Sequence, residues 1–585
     1  MKYIHVAKAN CKNCYRCLKV CPVKSIKYSD DKVEVLDDAC ILCGRCIRNC
    51  PQKAKSLIHD ISDIKAMASS PSQKTVAALA PSYVSSFGIK NRFRIVTALK
   101  KLGFDAVEET SMGAHAVTRE YARILETGSM DNMITTCCPS VVFLVQKYFP
   151  ELVPSLAPVL SPMETHGLLL KKNWGEDTDI IFFAPCISKI EEARIAKTPH
   201  ISGVVTFKQL GRWLNEEGIE IAAQEEGTFG NDETYSEIYP VFEGILSDVR
   251  ANLSPNSDAE KKYTFMSLQG TQDIIEFLQE MQAGKIHGCF VEASACYGSC
   301  VNGPERISSE YRPIGLSLKL QRYIEARKET FKEAHPAVDS VELVRAIEPQ
   351  PLREDIPDEK TIREILAQIG KTSPEHELNC GSCGYRTCRD KAIAVYQGKA
   401  ELYMCMPYMS QISETLANVT LSVSPDYIIA VNGEMKIKEC NVAAQKLFGL
   451  PRNEIIGHEI KDFLDPVDFA VAIGEQKSIP QKKTSYDMRG IIVNQTMIYV
   501  PEQNIAVAFL QDITETERKI DKANKMKLDT MEMAQKVIDK QMTVAQEIAS
   551  LLGETTAETK VTLTKLKDLI IYDGATEEKD DKPLR

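Results

Sequence analysis

A chain of 585 residues is too long for one hydrophobic core and, at roughly 150 residues per domain, predicts about four domains. Hydrophobic residues at 44% and charged residues at 26% exclude a disordered or fibrous chain, and a net charge of -10 with no basic stripe excludes nucleic acid as a partner. With no apolar run of about 18 residues and no apolar leader in residues 1–10, neither a membrane partner nor a signal peptide is expected, and the location expected is cytoplasmic; there, 19 cysteines favour metal over disulfides wherever the spacing fits.

The first segment, 1–58, holds eight cysteines in a doubled CxxCxxCxxxCP run: Cys11, Cys14, Cys17 and Cys21 before Pro22, then Cys40, Cys43, Cys46 and Cys50 before Pro51. Three closely spaced thiolates wrap one face of a cubane, while the fourth, set off by a longer step and a proline, reaches the neighbouring cluster. Cys11, Cys14, Cys17 and Cys50 are thus expected to hold one [4Fe–4S] cluster, and Cys40, Cys43, Cys46 and Cys21 the other. Zinc is the alternative, and its sites rarely use this doubled spacing. The segment reads as a ferredoxin-like 2[4Fe–4S] domain that transfers electrons.

Between 59 and 345, apolar runs at 75–80, 133–135, 180–184 and 286–291 alternate with helical patterns, which predicts an α/β domain on a largely parallel sheet. Loops after these runs carry TTCCP at 135–139, APCISK at 184–189 with Glu192, and EASACYGSC at 292–300; APS, that is Ala80, Pro81 and Ser82, comes directly after the first run. In open α/β sheets ligands collect at the carboxyl ends of strands, so one shared site is expected.

These segments, in this order, resemble the active-site loops of [FeFe]-hydrogenases. The resemblance implies an H-cluster: Cys138, Cys186, Cys296 and Cys300 as ligands of its cubane, with Cys300 also bridging to a diiron subsite that carries carbon monoxide, cyanide and an azadithiolate. It further implies that Lys189 and Ser82 donate to a cyanide and that Glu192 belongs to the same site. Cys137 matches the thiol that passes protons to the azadithiolate amine, which splits dihydrogen, and Ala80, Pro81 and Ser294 line the cofactor. The plainer alternatives are a buried apolar cysteine at 137 and a surface ion pair of Lys189 with Glu192. Cys289 reads as core.

Departures from the family pattern bear on activity. Ala184 and Ser294 stand where methionines are usual, Ser140, Val141 and Val142 where a tryptophan is usual, and VNGP at 301–304 replaces a GGGQP-type run. Tyr121 and Ile124 take the glutamate positions of a proton-relay helix. A carboxylate relay needs groups of suitable pKa in reach, so slow turnover is expected. These changes resemble the sensory branch of the family.

Prolines at 349, 351 and 357 mark a linker, 346–370, before a small domain at 371–408 in which Cys380, Cys383, Cys388 and Cys405 are expected to hold a further [4Fe–4S] cluster, relaying between the core and the next domain. Gly381 and Gly384 let the backbone approach cluster sulfurs, which favours the cluster over zinc. Residues 409–513 resemble an α+β PAS domain through Asn441, Phe448, Gly449, Ile456, Gly457 and QDITE at 511–515. Signalling helices are expected over 514–572, with Ala534, Ile538, Gln541, Ala545, Ile548 and Leu552 at heptad steps, and a solvated tail over 573–585. That seam implies a coiled-coil-like homodimer; the alternative is a helix packed on its own domain.

The chain therefore reads as a multidomain α/β sensory hydrogenase with three [4Fe–4S] clusters plus the H-cluster. Its implied partners are dihydrogen and protons, ferredoxin or another redox protein, hydrogenase maturation proteins and a downstream signalling protein, because the sequence shows no kinase, phosphatase or DNA-binding motif of its own. The rivals are a metabolic ferredoxin-linked hydrogenase and a non-catalytic relative without the diiron unit.

Overall fold

The computed structural model describes residues 2–29, 32–231, 234–307, 312–328, 342–353, 355–552, 561–562 and 564–565. The chain divides into two compact units, Met1–Met409 and Ser410–Arg585.

In the first unit the doubled cysteine run folds as two similar halves. Strand Ile4–Val6 pairs antiparallel with Lys55–Leu57, and Ile26–Ser29 with Lys32–Val35. Each CxxC run turns into a short helix, Arg16–Val20 or Arg45–Arg48, behind a residue in the left-handed region, Tyr15 or Gly44. Glycine is needed at 44 for a second reason: a Cβ there would lie 2.3 Å from Cβ of Pro304, so the ferredoxin-like half-repeat lies directly against the core. Arg45 donates to Thr271 Oγ1 at 2.6 Å, Arg48 to the Asn302 carbonyl at 2.6 Å, and Lys147 to the Cys40 carbonyl at 2.8 Å, which pins the two together.

The core has two parallel sheets, not the single one expected. The first runs in the order Ala106–Glu109, Thr75–Leu79, Asp179–Ala184, Gly203–Thr206, and the second Thr264–Gln269, Cys289–Ser294, Met133–Ile134. Continuous apolar runs mark strands buried on both faces but carry no information on which strands are neighbours. The strand expected from Ile286 begins at Cys289, and Cys289 is buried as expected of a core residue.

The segment expected as linker contains a helix, Glu359–Gln368, capped by Asp358, whose side chain accepts from the Thr361 N–H. Ile362, Leu366 and Ile369 pack with Ala392 and Cys405, so this helix completes the core of the four-cysteine domain around helix Cys388–Tyr396. Three- and four-residue apolar spacing outweighed the proline signal.

The second unit holds a five-stranded antiparallel sheet in the order Ile437–Cys440, Tyr427–Asn432, Ile505–Asp512, Ile491–Val500, Ile479–Tyr486. Asn441 caps helix Val442–Phe448, its Oδ1 accepting from the Ala444 and Ile428 N–H groups, and Gly449 ends that helix at φ +75°. Helix Thr514–Leu552 comes after the last strand, and Met526, Leu528, Met533, Val537, Val544 and Ile548 are exposed along it. The remainder of the expected signalling helices beyond 552, apart from 561–562 and 564–565, and the expected tail lie outside the described residues.

Candidate functional site

Both core sheets send loops to one place. Ser82 follows strand Thr75–Leu79 and Cys186 follows Asp179–Ala184, both in the first sheet; Cys137 and Cys138 follow Met133–Ile134, and Cys296 and Cys300 follow Cys289–Ser294, in the second. Cys138 is also the N-cap of helix Pro139–Tyr148, whose first position is the proline that favours a helix start there.

Cys138, Cys186, Cys296 and Cys300 share one neighbourhood. Burial pushes the Cys296 thiol well up, and charge on Cys186, Cys138 and Cys300 adds to it; burial and then Cys186 do the same to Cys138. Thiols so placed prefer their protons until a cationic centre displaces them, which suits a cluster ligand set. Cys186 Sγ lies 3.0 Å from Ser188 Oγ, a hydroxyl that can donate to it. Cys300 is strongly shifted upward, first by burial and then by Cys138 and Cys186. Ser82 Oγ is buried and has no hydrogen-bond partner among the described residues. A fully buried hydroxyl without a partner costs about 1–3 kcal/mol, a cost that an acceptor on a bound group removes. Ala80, Pro81 and Ser294 border the same strand ends, with Ala80 and Pro81 half-buried and Ser294 buried.

Lys189 and Glu192 do not form a surface pair. The Lys189 ammonium donates to Glu192 Oε2 at 2.6 Å and to Ser161 Oγ at 3.0 Å inside the protein, and Arg345 donates to Glu192 Oε1 at 3.1 Å. Burial lowers the Lys189 pKa, but the Glu192 carboxylate outweighs it and the net direction is up. Glu164 stands nearby with its carboxyl pushed up to about 7 by burial and then by Glu192. Ser161, Glu164 and Arg345 are absent from the sequence-based site. Ser161 and Glu164 had a signal: Ser161 is a helix N-cap that accepts from the Glu164 N–H, the S-x-x-E capping pattern.

Cys137 is pushed up to about 12 by burial, with the Tyr121 hydroxyl acting in the opposite direction. That hydroxyl lies 3.4 Å from Cys137 Sγ and accepts from the Thr136 N–H at 3.0 Å. Ile124, the other residue at a relay position, is buried in an apolar cluster.

In the ferredoxin-like repeat, Cys21 of the first run lies close to the second run. Cys40, Cys43 and Cys46 each feel the charge of Cys21, and Cys17 feels Cys11 and Cys14. Lys55 is a buried ammonium with no hydrogen-bond partner among the described residues, and it acts on both Cys17 and Cys46. A buried cation needs an anion, and a cluster with thiolate ligands supplies one. In the four-cysteine domain, Lys391 is 2% exposed, and its ammonium, lowered by burial, is held up by Cys405, Cys383 and Cys388 while donating to the Leu402 carbonyl at 3.0 Å. Among the described residues no three Cys, His, Asp or Glu side chains close on a point for one metal ion.

Comparison with known proteins bears on these domains. Residues 73–304 match the model described as the iron only hydrogenase large subunit, C-terminal domain; 3–64 match a 4Fe-4S dicluster domain, 377–407 an Fe-S cluster domain and 412–512 the PAS fold. Iron hydrogenase 1 of Clostridium pasteurianum is 26% identical over 293 residues, which cover 41% of this chain and 51% of that protein, so the match spans about half of the relative's length. The cytosolic Fe-S cluster assembly factor NAR1 of Candida dubliniensis is 25% identical over 169 residues, covering 25% of this chain and 29% of that protein. A solved [FeFe]-hydrogenase HydA1 from Chlamydomonas reinhardtii is 18% identical with a TM-score of 0.42, covering 50% of this chain and 99% of that one.

Proposed function

We propose that the protein is a sensory [FeFe]-hydrogenase, from the premise that residues 73–304 match the iron only hydrogenase large subunit, C-terminal domain, in one polypeptide with matches to a 4Fe-4S dicluster domain and the PAS fold. It binds dihydrogen, cleaves it slowly and reversibly, and relays the resulting redox state through three [4Fe–4S] clusters to the PAS module. The observation that carries this reading is the contact of Cys137 with Tyr121: the proton-carrying thiol is present, and a phenol stands where the next base is expected.

In this reading Cys138, Cys186, Cys296 and Cys300 hold the cubane of the H-cluster, and Cys300 also holds the diiron unit. When bound, that unit supplies an open iron and an amine base, which together split dihydrogen heterolytically. The chain's own groups do the rest. Lys189, fixed by Glu192 and Ser161, presents a positive charge in a dry pocket; Ser82 offers an unused hydroxyl; Cys137 holds and moves a proton at Sγ. Burial of these groups keeps bulk water away from the reacting face.

The partners proposed are a ferredoxin-type protein, the maturation proteins that build the diiron unit, a cytoplasmic signalling protein and a second copy of this chain. The second copy is supported by the exposed apolar residues Met526, Met533 and Val537 on helix Thr514–Leu552. A non-catalytic reading is favoured by one observation, the match to an iron–sulfur assembly factor. Infrared spectra of the matured protein under hydrogen and under argon decide: cyanide and carbonyl bands that shift with hydrogen support the sensor, and their absence after full maturation supports the non-catalytic relative. Fast turnover with those bands present supports a metabolic hydrogenase instead.

A further inference from the structure

The four-cysteine domain is packed against the ferredoxin-like repeat. The Tyr28 N–H donates to the Lys399 carbonyl at 2.9 Å, and the Tyr28 ring meets Tyr403 edge-on at 6.2 Å. The chain just after Cys383 is pressed onto the helix that runs between Cys17 and Cys21: a Cβ on Gly384 would lie 3.0 Å from Cγ of Leu18 and 3.3 Å from the Lys19 nitrogen. Gly384 also has φ +93°, so the residue must be glycine on two counts.

Two side chains fill this junction. The Lys24 ammonium donates to the Gly384 carbonyl at 2.7 Å on one side and to the Leu18 and Lys19 carbonyls at 3.1 and 3.4 Å on the other. It thus ties the residue after Cys383 to the residue after Cys17. Lys24 itself sits at φ +50°, a strained conformation for a residue with a Cβ, kept only where the surroundings fix it. Burial lowers its pKa, and Cys21 from one domain and Cys383 from the other raise it again. Tyr385 is 4% exposed, and its hydroxyl has no hydrogen-bond partner among the described residues. A phenol keeps its proton at neutral pH, so this buried hydroxyl is a donor without an acceptor among the described residues.

We propose that this junction is a built contact between two iron–sulfur sites, in which Lys24 and Tyr385 are positioning residues that tune the Cys21-linked site and the Cys383-linked site together. The inference rests on reading both cysteine sets as [4Fe–4S] ligands. Each reduced cluster gains one negative charge. A cation and an O–H donor set between two such clusters stabilise the reduced form of each, because hydrogen bonds to cluster sulfurs and nearby charge raise the potential. The four-cysteine domain is thereby coupled to the ferredoxin-like repeat, in addition to any link along the chain toward the PAS module.

The test is an EPR-monitored redox titration of the full-length, iron-loaded chain. Cys380→Ser identifies the four-cysteine signal by its loss; if the unmodified chain shows no such signal and no matching iron, the cluster reading fails and the junction proposal with it. With both signals present, Tyr385→Phe is the sharper variant, since it deletes one oxygen that bonds to no described residue. A merely structural hydroxyl leaves both potentials unmoved on removal. The proposal expects both signals to move to lower potential by about tenfold in the reduction equilibrium, which is about 59 mV for one electron, at unchanged iron content. Lys24→Met is expected to move both in the same direction and Lys24→Arg to restore most of the shift. A shift in one signal alone, or in neither, overturns the proposal, whether or not Lys24→Met retains its iron.

Discussion

The hydroxyl of Tyr121 and the thiol of Cys137 face each other at 3.4 Å, with both side chains surrounded by protein. A carboxylate here could take the thiol's proton near neutral pH. The Tyr121 phenol cannot, because burial and then Cys137 push its pKa well above the usual value. The thiol therefore has a partner that can orient it but is a poor base for its proton.

Tyr121→Phe tests the bond itself. The substitution keeps the ring that packs edge-on to Phe290 and removes the acceptor of the buried Thr136 N–H. An orphaned buried N–H costs about 1–3 kcal/mol, so the denaturant midpoint should fall by a corresponding amount while iron content stays the same. An unmoved midpoint would show that the contact contributes nothing.

Cys137→Ala and Cys138→Ala separate proton transfer from ligation. Cys137 faces Tyr121, whereas Cys138 is influenced first, after burial, by Cys186. Cys137→Ala should leave the iron in place and nearly abolish turnover, and Cys138→Ala should lose iron. Equal iron loss in the two variants would refute the division of roles.

The chemistry with fixed spacing was legible in the sequence. Short, repeated cysteine intervals are a signature of iron–sulfur domains, so the runs from Cys11 to Cys50 and Cys380 to Cys405 stand out, and the loops bearing Cys138, Cys186, Cys296 and Cys300 come after apolar runs that are strands. The pairing of distant groups was not legible. Lys24, Lys55 and Lys391 look like surface lysines in the sequence, and only tertiary burial turns them into cations beside cysteine thiols. Arg345 lies 153 residues from Glu192, and no local pattern connects them. The Glu359–Gln368 helix was hidden by its neighbouring prolines, and the split of the core into two sheets by strands whose runs are alike.

The buried ion cluster makes an asymmetric prediction. Glu192 is shared by Lys189 and Arg345, so Glu192→Gln leaves two cations facing each other, whereas Lys189→Met leaves Glu192 still paired with Arg345. Breaking a buried pair by removing one partner costs about 3–5 kcal/mol, and stranding two like charges adds to it. Glu192→Gln should therefore unfold at clearly lower denaturant than Lys189→Met. The reverse order would mean that Arg345 does not engage Glu192.

Glu164 and Glu292 each have a carboxyl raised to about 7, mainly by burial, with Glu192 adding to the shift at Glu164. A carboxyl whose folded pKa exceeds its unfolded value imposes no penalty while it is protonated in both states. It loses stability as pH rises from about 4.5 to about 7, by on the order of 3 kcal/mol for each group. Glu164→Gln and Glu292→Gln should each flatten the fall in unfolding free energy across that window. A slope identical to that of the unmodified chain, measured by denaturant titration at several pH values, would place these carboxyls in a wetter setting.

The sensory reading makes its strongest demand on the helix Thr514–Leu552. A sensor needs occupancy of its site, and flux is not required. On that reading Ala184, Ser294 and the Tyr121 phenol beside Cys137 would lower turnover, while Cys300, Lys189 and Ser82 would still be there to hold the bound group that receives hydrogen. The resulting redox change must bias an element with two arrangements, and the PAS sheet with its exit helix is the candidate. The helix is joined to that sheet at its first turn, where Thr514 Oγ1 accepts from the Ile492 N–H at 2.9 Å, and its later apolar residues are exposed. A small change at the joint can therefore alter how the exposed stretch pairs. A coupling of about 1–3 kcal/mol would shift the populations by about five- to 150-fold. Hydrogen should change amide exchange or protease sensitivity between Asp512 and Leu552 relative to argon. Cys380→Ser should erase that difference without abolishing the hydrogen-induced change in the infrared bands. If the helix exchanges identically under both gases while those bands respond, the signal does not reach it, and the metabolic reading takes precedence.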